Sequence, residues 1–188
     1  MSMPPEILAT ELPGVLEIRT KAFGDARGFF TEAYNQAAWA EAGFQQNFVQ
    51  DNLSCSSRGT LRGLHYQIRP HAMGKLVRAL RGSMFDVAVD LRRGSPTFGG
   101  WIGRLLRGDT HNWLYVPPGF AHGFIALEDD TLLYYKCTAS YCPEAERTLR
   151  YDDPRITIEW PIEATVLADK DRAAPGLDEA EFNFVYEA

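Results

Sequence analysis

The stretch Met84-Phe85-Asp86-Val87-Ala88-Val89-Asp90-Leu91 carries an apolar residue at every odd position. This period of two predicts a half-buried strand. Turn-forming residues flank the stretch at 81–83 and 93–96, as expected where a strand begins and ends.

Short runs of the same kind, separated by turns, extend on both sides of this strand. Seven further strands are predicted at 48–53, 60–68, 75–80, 101–106, 112–116, 122–127 and 131–140. Eight short strands at this spacing are typical of a sandwich or a small barrel. The chain is therefore predicted to be all-β.

The two ends of the chain differ from this central region. Residues 13–34 read as an arm of short strands with a turn at 24–28, followed by a short helix at 36–42. Asn35 is placed to cap that helix and Gly43 to end it. Beyond 152–154 the chain reads as an irregular tail. No linker is visible, so residues 1–188 are predicted to form one domain.

Composition excludes several classes of protein. The net charge of −6 over 188 residues argues against nucleic acid as a partner, because phosphate binding needs a basic face. No apolar run is long enough for a membrane span, and the N-terminus lacks the features of a signal peptide. The three cysteines, Cys55, Cys137 and Cys142, form no paired motif, which favours a reducing, cytoplasmic location.

The run Arg62-Gly63-Leu64-His65-Tyr66-Gln67 carries the first candidate for chemistry, His65. Histidine titrates near neutral pH and can take and return a proton. On a regular strand Leu64 and Tyr66 form the packing face, and Arg62 falls on their side. Arg62 shares a site with His65 only if the strand is irregular near Gly63. On a regular strand Arg62 would instead lie at the rim.

Two later positions are candidates for the same site. Lys75 is either a solvated residue at a strand end or a fixed cation beside a developing oxyanion. Tyr135 and Tyr141 share strand parity and lie about 20 Å apart if the strand is regular. One of them would then lie near a reacting centre and the other near the far end of a long ligand. The alternative is that both are aromatics on a sheet wall.

Other chemistries have weaker signals. His65 and His71 are six residues apart, no His-x-His is present, and His111 and His122 are isolated, so no metal is predicted. Cys55 lies in a Ser-Cys-Ser run without a nucleophile elbow or a neighbouring base. Proton transfer is the chemistry that the residues favour.

Taken together, these residues resemble the dTDP-4-dehydrorhamnose 3,5-epimerase family over about residues 12–175. The resemblance rests on several motifs in shared order, at 25–32, 50–54, 61–67, 82–92, 94–99, 117–124 and 169–171. It implies a cupin-like jelly-roll barrel and epimerisation at C3 and C5 of dTDP-4-dehydro-6-deoxy-D-glucose through an enolate. It also implies a homodimer with exchanged N-terminal strands, and no cofactor.

The same resemblance implies roles for individual residues. His65 matches the catalytic base, Asp171 the carboxylate that orients it and raises its basicity, Tyr135 the acid on the opposite face of the sugar, and Lys75 the cation that stabilises the enolate oxygen. Tyr141 matches the aromatic that stacks on thymine. The remaining matches to substrate-binding positions are Arg27, Phe30, Glu32, Gln50, Asn52, Arg62, His122, Glu146 and Lys170.

Three alternatives stay open at this point. A mono-epimerase that inverts only C3 or only C5 would keep the same residues. A non-catalytic sugar-binding cupin is disfavoured, because base and opposed acid are both present. A metal-dependent cupin oxygenase is disfavoured by the missing His-x-His.

Overall fold

The computed structural model describes residues 3–187 and contains two antiparallel sheets, one separate hairpin and short helices. In chain order the elements are β1 (Glu6–Ala9), β2 (Leu16–Arg19), β3 (Ala22–Asp25), β4 (Gly28–Thr31), α1 (Gln36–Glu41), β5 (Gln50–Ser56), β6 (Leu61–Gln67), β7 (Lys75–Arg81), β8 (Ser83–Asp90), β9 (Trp101–Arg107), β10 (Asn112–Val116), β11 (Phe120–Ala126), β12 (Thr131–Cys137), a 3₁₀ turn (Pro143–Ala145), β13 (Glu146–Thr148) and α2 (Asp169–Arg172).

The strands divide into a six-stranded sheet, β1-β2-β10-β7-β12-β5, and a five-stranded sheet, β13-β6-β11-β8-β9. Strands β3 and β4 pair only with each other among the described residues. The all-β, jelly-roll prediction is confirmed in its two facing sheets. No strand joins these sheets by hydrogen bonds within residues 3–187, so the barrel is not closed.

One hydrophobic core fills the space between the sheets. It combines side chains of the six-stranded sheet, such as Val77 and Leu133, with side chains of the five-stranded sheet, such as Met84, Ile102 and Phe124. Apolar faces from two sheets must be buried against each other, which fixes this two-layer arrangement.

The prediction that β8 is half-buried is wrong, because β8 is covered on both faces. Its odd positions, including Val87 and Val89, pack into a second cluster that contains the tail residues Phe182 and Phe184. Its even positions, including Ala88, face the core between the sheets. The irregular tail is therefore the outer cover of the five-stranded sheet.

The N-terminal region folds much as predicted. Asn35 accepts a hydrogen bond from the Ala38 amide at the start of α1, and Gly43 has a φ of +98° just beyond its end. This helix packs Trp39 against the outer face of the six-stranded sheet at Trp113. No helix within residues 3–187 is long and apolar enough to cross a membrane.

Two strands were not predicted, β1 and β13. Both are short edge strands of three or four residues. Strand β1 adds to β2, which pairs with β10 of the same chain. The exposed arm is therefore only the β3–β4 hairpin.

Candidate active site

The site is built on an irregular segment of β6. His65 lies opposite His122 on β11, but Arg62 lies opposite Phe124, so one residue of β11 faces two of β6. Gly63 has a φ of +139°, and a Cβ atom there would come within 2.5 Å of the Gly123 Cα atom. A β-bulge at this glycine turns Arg62 to the side of His65. The structure therefore has the irregularity that a shared site for Arg62 and His65 requires.

His65 pairs with a carboxylate from the far end of the chain. Its Nε2 atom lies 2.6 Å from Asp171 Oδ1, while the Gly63 amide donates to Asp171 Oδ2 at 3.3 Å. Asp171 is 2% exposed and is carried by α2. Since Nε2 is engaged, Nδ1 is the ring nitrogen that remains to accept a proton.

The pKa of His65 lies below its ordinary value of 6.5. Burial is the main cause, and the positive charge of Lys75 adds to it, while the hydrogen bond to Asp171 acts in the opposite direction. Asp171 therefore raises the basicity of the ring, as expected, but burial outweighs this effect. His65 is accordingly a neutral imidazole at neutral pH.

Lys75 and Tyr135 come from the opposite sheet. Lys75 begins β7 and donates from Nζ to the His65 carbonyl oxygen at 3.3 Å. Its pKa is lowered by burial, against the attraction of Cys137 and Asp86. The pKa of Tyr135 on β12 is raised, mainly by burial, so its phenol keeps its proton at neutral pH.

These side chains share a cavity of about 510 Å³ between the two sheets. Eight of the predicted residues line it: His65, Lys75, Tyr135, Asp171, Arg62, His122, Glu146 and Lys170. A cavity of about 260 Å³ adjoins it, shares four of these residues and adds three more predicted ones, Gln50, Asn52 and Tyr141. Together the two cavities form an elongated groove.

The exposed rim of the groove carries a hydrogen-bonded bridge of side chains where the two cavities adjoin. Lys170 donates to Glu146 at 2.9 Å, and the Tyr141 hydroxyl donates to the same carboxylate at 3.1 Å. Strand β12 ends at Cys137, so the regular-strand spacing predicted between Tyr135 and Tyr141 does not apply. Tyr141 lies in the following loop and is 53% exposed.

Three predicted binding residues lie away from the groove, on or beside the hairpin. Arg27 pairs with the neighbouring Asp25, and Phe30 is 70% exposed. Phe30 and Glu32 line a separate small cavity. The described chain therefore brings together eleven of the fourteen predicted residues and leaves Arg27, Phe30 and Glu32 apart from them.

Asp86 belongs to the site and was not singled out from the sequence. Both of its carboxylate oxygens lie 3.0 Å from His122 Nε2, and its side chain is fully buried. Asp86 also attracts the charge of Lys75. The available signal was an acidic residue inside a strongly apolar strand, where a buried charge needs partners.

Groups suited to other chemistries are not arranged as a site. Among residues 3–187 no three His, Cys, Asp or Glu side chains are grouped as a metal site requires. The three cysteines are free, with Cys55 exposed, Cys137 buried and Cys142 half-buried.

The fold and the groove define a cupin-like, two-sheet protein with a His–Asp pair facing a tyrosine and a lysine. A family model described as dTDP-4-dehydrorhamnose 3,5-epimerase matches residues 9–179. The chain belongs to the dTDP-4-dehydrorhamnose 3,5-epimerase family.

Individual relatives agree with this assignment. The Pseudomonas aeruginosa dTDP-4-dehydrorhamnose 3,5-epimerase is 51% identical over 172 residues, covering 90% of this chain and 94% of that protein. A Legionella pneumophila dTDP-6-deoxy-D-glucose-3,5-epimerase, solved in complex with dTDP-4-keto-L-rhamnose, matches with a TM-score of 0.93 and 44% identity over 98% of this chain and 100% of that one. A 3'-monoepimerase from Streptomyces bikiniensis in complex with dTDP-quinovose matches with a TM-score of 0.86 and 32% identity over 91% and 87%.

Proposed function

We propose that this protein epimerises C3 and C5 of dTDP-4-dehydro-6-deoxy-D-glucose, giving dTDP-4-dehydro-L-rhamnose for dTDP-L-rhamnose biosynthesis. The observation that carries the proposal is the placement of His65 and Tyr135. They lie on strands of opposite sheets and line one cavity. A sugar ring between them meets a base on one face and an acid on the other.

Each inversion follows from the groups in this cavity. The C4 ketone acidifies the hydrogens on C3 and C5. His65 takes one proton at Nδ1, and the electron pair of the broken C–H bond moves to the C4 oxygen. Tyr135 returns a proton to the same carbon from the opposite face, and the electron pair re-forms the ketone. Exchange with solvent then returns the proton lost by Tyr135 and removes the one gained by His65.

The resting protonation states suit this sequence. Burial lowers the pKa of His65 and raises that of Tyr135, so the base begins neutral and the acid begins protonated. Burial also lowers the pKa of Lys75, which makes its ammonium group a stronger hydrogen-bond donor. Lys75 is assigned to the enolate oxygen, where a fixed donor stabilises developing charge.

Substrate binding is assigned to the rest of the groove. Arg62 and Lys170 supply positive charge for the diphosphate within an acidic protein. Tyr141 at the exposed rim is assigned to stacking on the thymine base. Gln50, Asn52, His122 and Glu146 are assigned to the sugar and the nucleoside.

A mono-epimerase is the second candidate, and the structural match to a 3'-monoepimerase is the observation that favours it. Identity to that enzyme is 32%, compared with 44% and 51% to the two 3,5-epimerases. The higher values support inversion at both carbons.

Deuterium exchange separates the two candidates. The protein is incubated with dTDP-4-dehydro-6-deoxyglucose in heavy water, and C3 and C5 are followed by NMR. We expect exchange and inversion at both carbons. Exchange at one carbon alone would select the mono-epimerase, and exchange at neither would reject the enzymatic function.

We also propose that the protein is a homodimer in which the β3–β4 hairpin completes the partner's groove. Phe29 and Phe30 on this hairpin are 65% and 70% exposed, which is unusual for neighbouring aromatic residues. Arg27 and Phe30 lie on the same hairpin, away from the groove of their own chain. A second copy is the partner that would bury them and use Arg27 at its diphosphate site.

Complementation tests this exchange. Arg27→Ala and His65→Asn each inactivate their homodimers if the hairpin serves the partner. Mixed in equal amounts after subunit exchange, they should regain activity in about a quarter of the sites, because each two-fold heterodimer then holds one intact site. A mixture with no activity above its components would reject exchange. Light scattering of the wild-type protein checks the dimer itself.

A further inference from the structure

Strand β5 carries a row of four polar side chains on one face, and three of them line the groove. Gln50, Asn52, Ser54 and Ser56 alternate with Asp51, Leu53 and Cys55, so all four lie on one face of the strand. Gln50 and Asn52 line the smaller cavity, and Ser54 lines the larger one.

Three members of this row have hydrogen-bond partners. Gln50 donates to Asn52 at 3.0 Å, and Asn52 donates to the sulfur of Cys137 at 3.4 Å. Ser56 accepts from Arg62 Nε at 3.1 Å. These bonds fix the row on both sides of Ser54.

Ser54 differs from the other three because its buried hydroxyl oxygen has no hydrogen-bond partner. Only one other buried side-chain polar atom within residues 3–187 shares this property, the indole nitrogen of Trp113, which is far from the groove in the aromatic cluster. A buried hydroxyl without a protein partner costs free energy unless another group supplies the hydrogen bond. A ligand group in the adjoining cavity would supply the missing bond.

The position of Ser54 relative to the reacting groups identifies that ligand group. Asn52 pairs with Tyr135 across β5 and β12, and Ser54 pairs with Leu133. Ser54 is therefore a diagonal neighbour of Tyr135, about 7–8 Å away between backbones. One hexose ring between His65 and Tyr135 can reach the Ser54 hydroxyl, which turns toward the cavity by rotation about one side-chain bond.

We propose that Ser54 is a positioning residue whose hydroxyl binds a ring hydroxyl of the hexose, at C2 or C3, and so fixes the ring between base and acid. This assignment rests on the proposed function. No protein atom within residues 3–187 bonds this hydroxyl, so a sugar hydroxyl can take the bond without displacing a protein partner. Ser54 thereby adds selectivity for a hydroxylated sugar without contacting the transferred protons.

The test compares Ser54→Ala with the wild-type protein on three substrates. They are the 4-keto-6-deoxy sugar nucleotide and its 2-deoxy and 3-deoxy analogues, with solvent exchange at C5 as the common readout. On the full substrate S54A should lower kcat/KM roughly three- to tenfold, the contribution of one neutral hydrogen bond. On the analogue that lacks the bound hydroxyl, S54A and wild type should be equal.

The unfolding temperature distinguishes a substrate-binding role of Ser54 from a purely structural one. Because S54A removes an unpaired buried hydroxyl, its unfolding temperature should equal or exceed that of the wild type. Ser57→Ala is the matched control, since Ser57 lies just beyond β5, pairs with Thr60 and does not line the cavity. It should have wild-type kinetics on all three substrates.

The outcomes separate the two claims. A wild-type protein inactive on the full substrate would overturn the proposed function. With an active wild type, S54A kinetics equal to wild type would overturn the assignment of Ser54 alone. That assignment would also be overturned if the S54A defect persists on both analogues, or if S54A unfolds at a lower temperature.

Discussion

Two histidine–aspartate pairs lie side by side in this groove, and they are built differently. His65 and His122 face each other across β6 and β11. His65 contacts one oxygen of Asp171 at 2.6 Å, whereas His122 is equidistant from both oxygens of Asp86 at 3.0 Å. The His65 side chain is 23% exposed and that of His122 is 7% exposed.

The origin of each carboxylate explains the difference. Asp86 lies on β8, next to β11, so the sheet itself sets the His122 pair. Asp171 lies on a four-residue helix in the tail, 106 residues from His65. The first pair is part of the rigid wall, and the second depends on docking of the tail. A base must reach a substrate, so we propose the more accessible pair, His65–Asp171, as the catalytic one.

The largest expected effect is the loss of the base. His65→Asn should lower kcat at least 10³-fold and abolish exchange at both carbons, because the proposed base is removed. Binding of dTDP, measured by calorimetry, should change little. His71→Asn is the control, since His71 is exposed and does not line either cavity of the groove. A near-normal rate for H65N would assign the base to the other pair.

The second-largest effect is expected from the loss of the acid, Tyr135, on the opposite sheet. Tyr135→Phe should lower the rate of inversion about 10²- to 10³-fold. His65 would still remove a proton and return deuterium to the same face, so exchange should continue without inversion. NMR in heavy water measures both. Tyr134→Phe is the matched control, because Tyr134 bonds Asp51 outside the groove, and equal losses in both variants would contradict the role of Tyr135.

Asp171→Asn should have a smaller effect, roughly 100-fold on kcat/KM, by removing the charge that supports His65. His65 acts only when neutral, and its pKa lies below 6.5. Activity therefore falls as the pH drops through the pKa of His65. Since Asp171 raises the pKa of His65, its loss should move this acidic limb of the pH–rate profile to lower pH. An unmoved limb would show that Asp171 only holds the tail.

Much of this site could be predicted from the sequence, because its signals are local. Alternating residues and turns located the strands of both sheets except the short edge strands β1 and β13. The conflict in parity between Arg62 and His65 showed that a shared site would require a bulge at Gly63. The bulge is visible in sequence because Arg62 and Gly63 adjoin the histidine. As the strand alternation predicted, Leu64 and Tyr66 are packed together in a hydrophobic cluster.

The remaining features depend on contacts between distant residues. Strand alternation suggested a solvated face for β8, but the tail covers one side and the core the other. Because of this double burial, the Asp86 carboxyl group lies in the interior, against His122. The lowered pKa of His65 could not be predicted from the sequence either. It arises because burial outweighs the effect of the hydrogen bond to Asp171.

Asp86→Asn tests the second pair and should have the smallest effect on activity, about tenfold on kcat/KM. Burial lowers the pKa of Lys75, and Asp86 is one of the groups that oppose this. Without that charge the pKa of Lys75 falls further. Because Lys75 acts as an ammonium ion, the basic limb of the pH–rate profile should move to lower pH.

Which limb of the pH–rate profile moves separates the two pairs. Asp171→Asn should move only the acidic limb and Asp86→Asn only the basic one. Asp90→Asn is the control for burial, since Asp90 is on the same strand and fully buried but pairs with Arg92. It should lower stability and leave both limbs in place. If D86N instead moved the acidic limb, His122 would share the role of the base with His65.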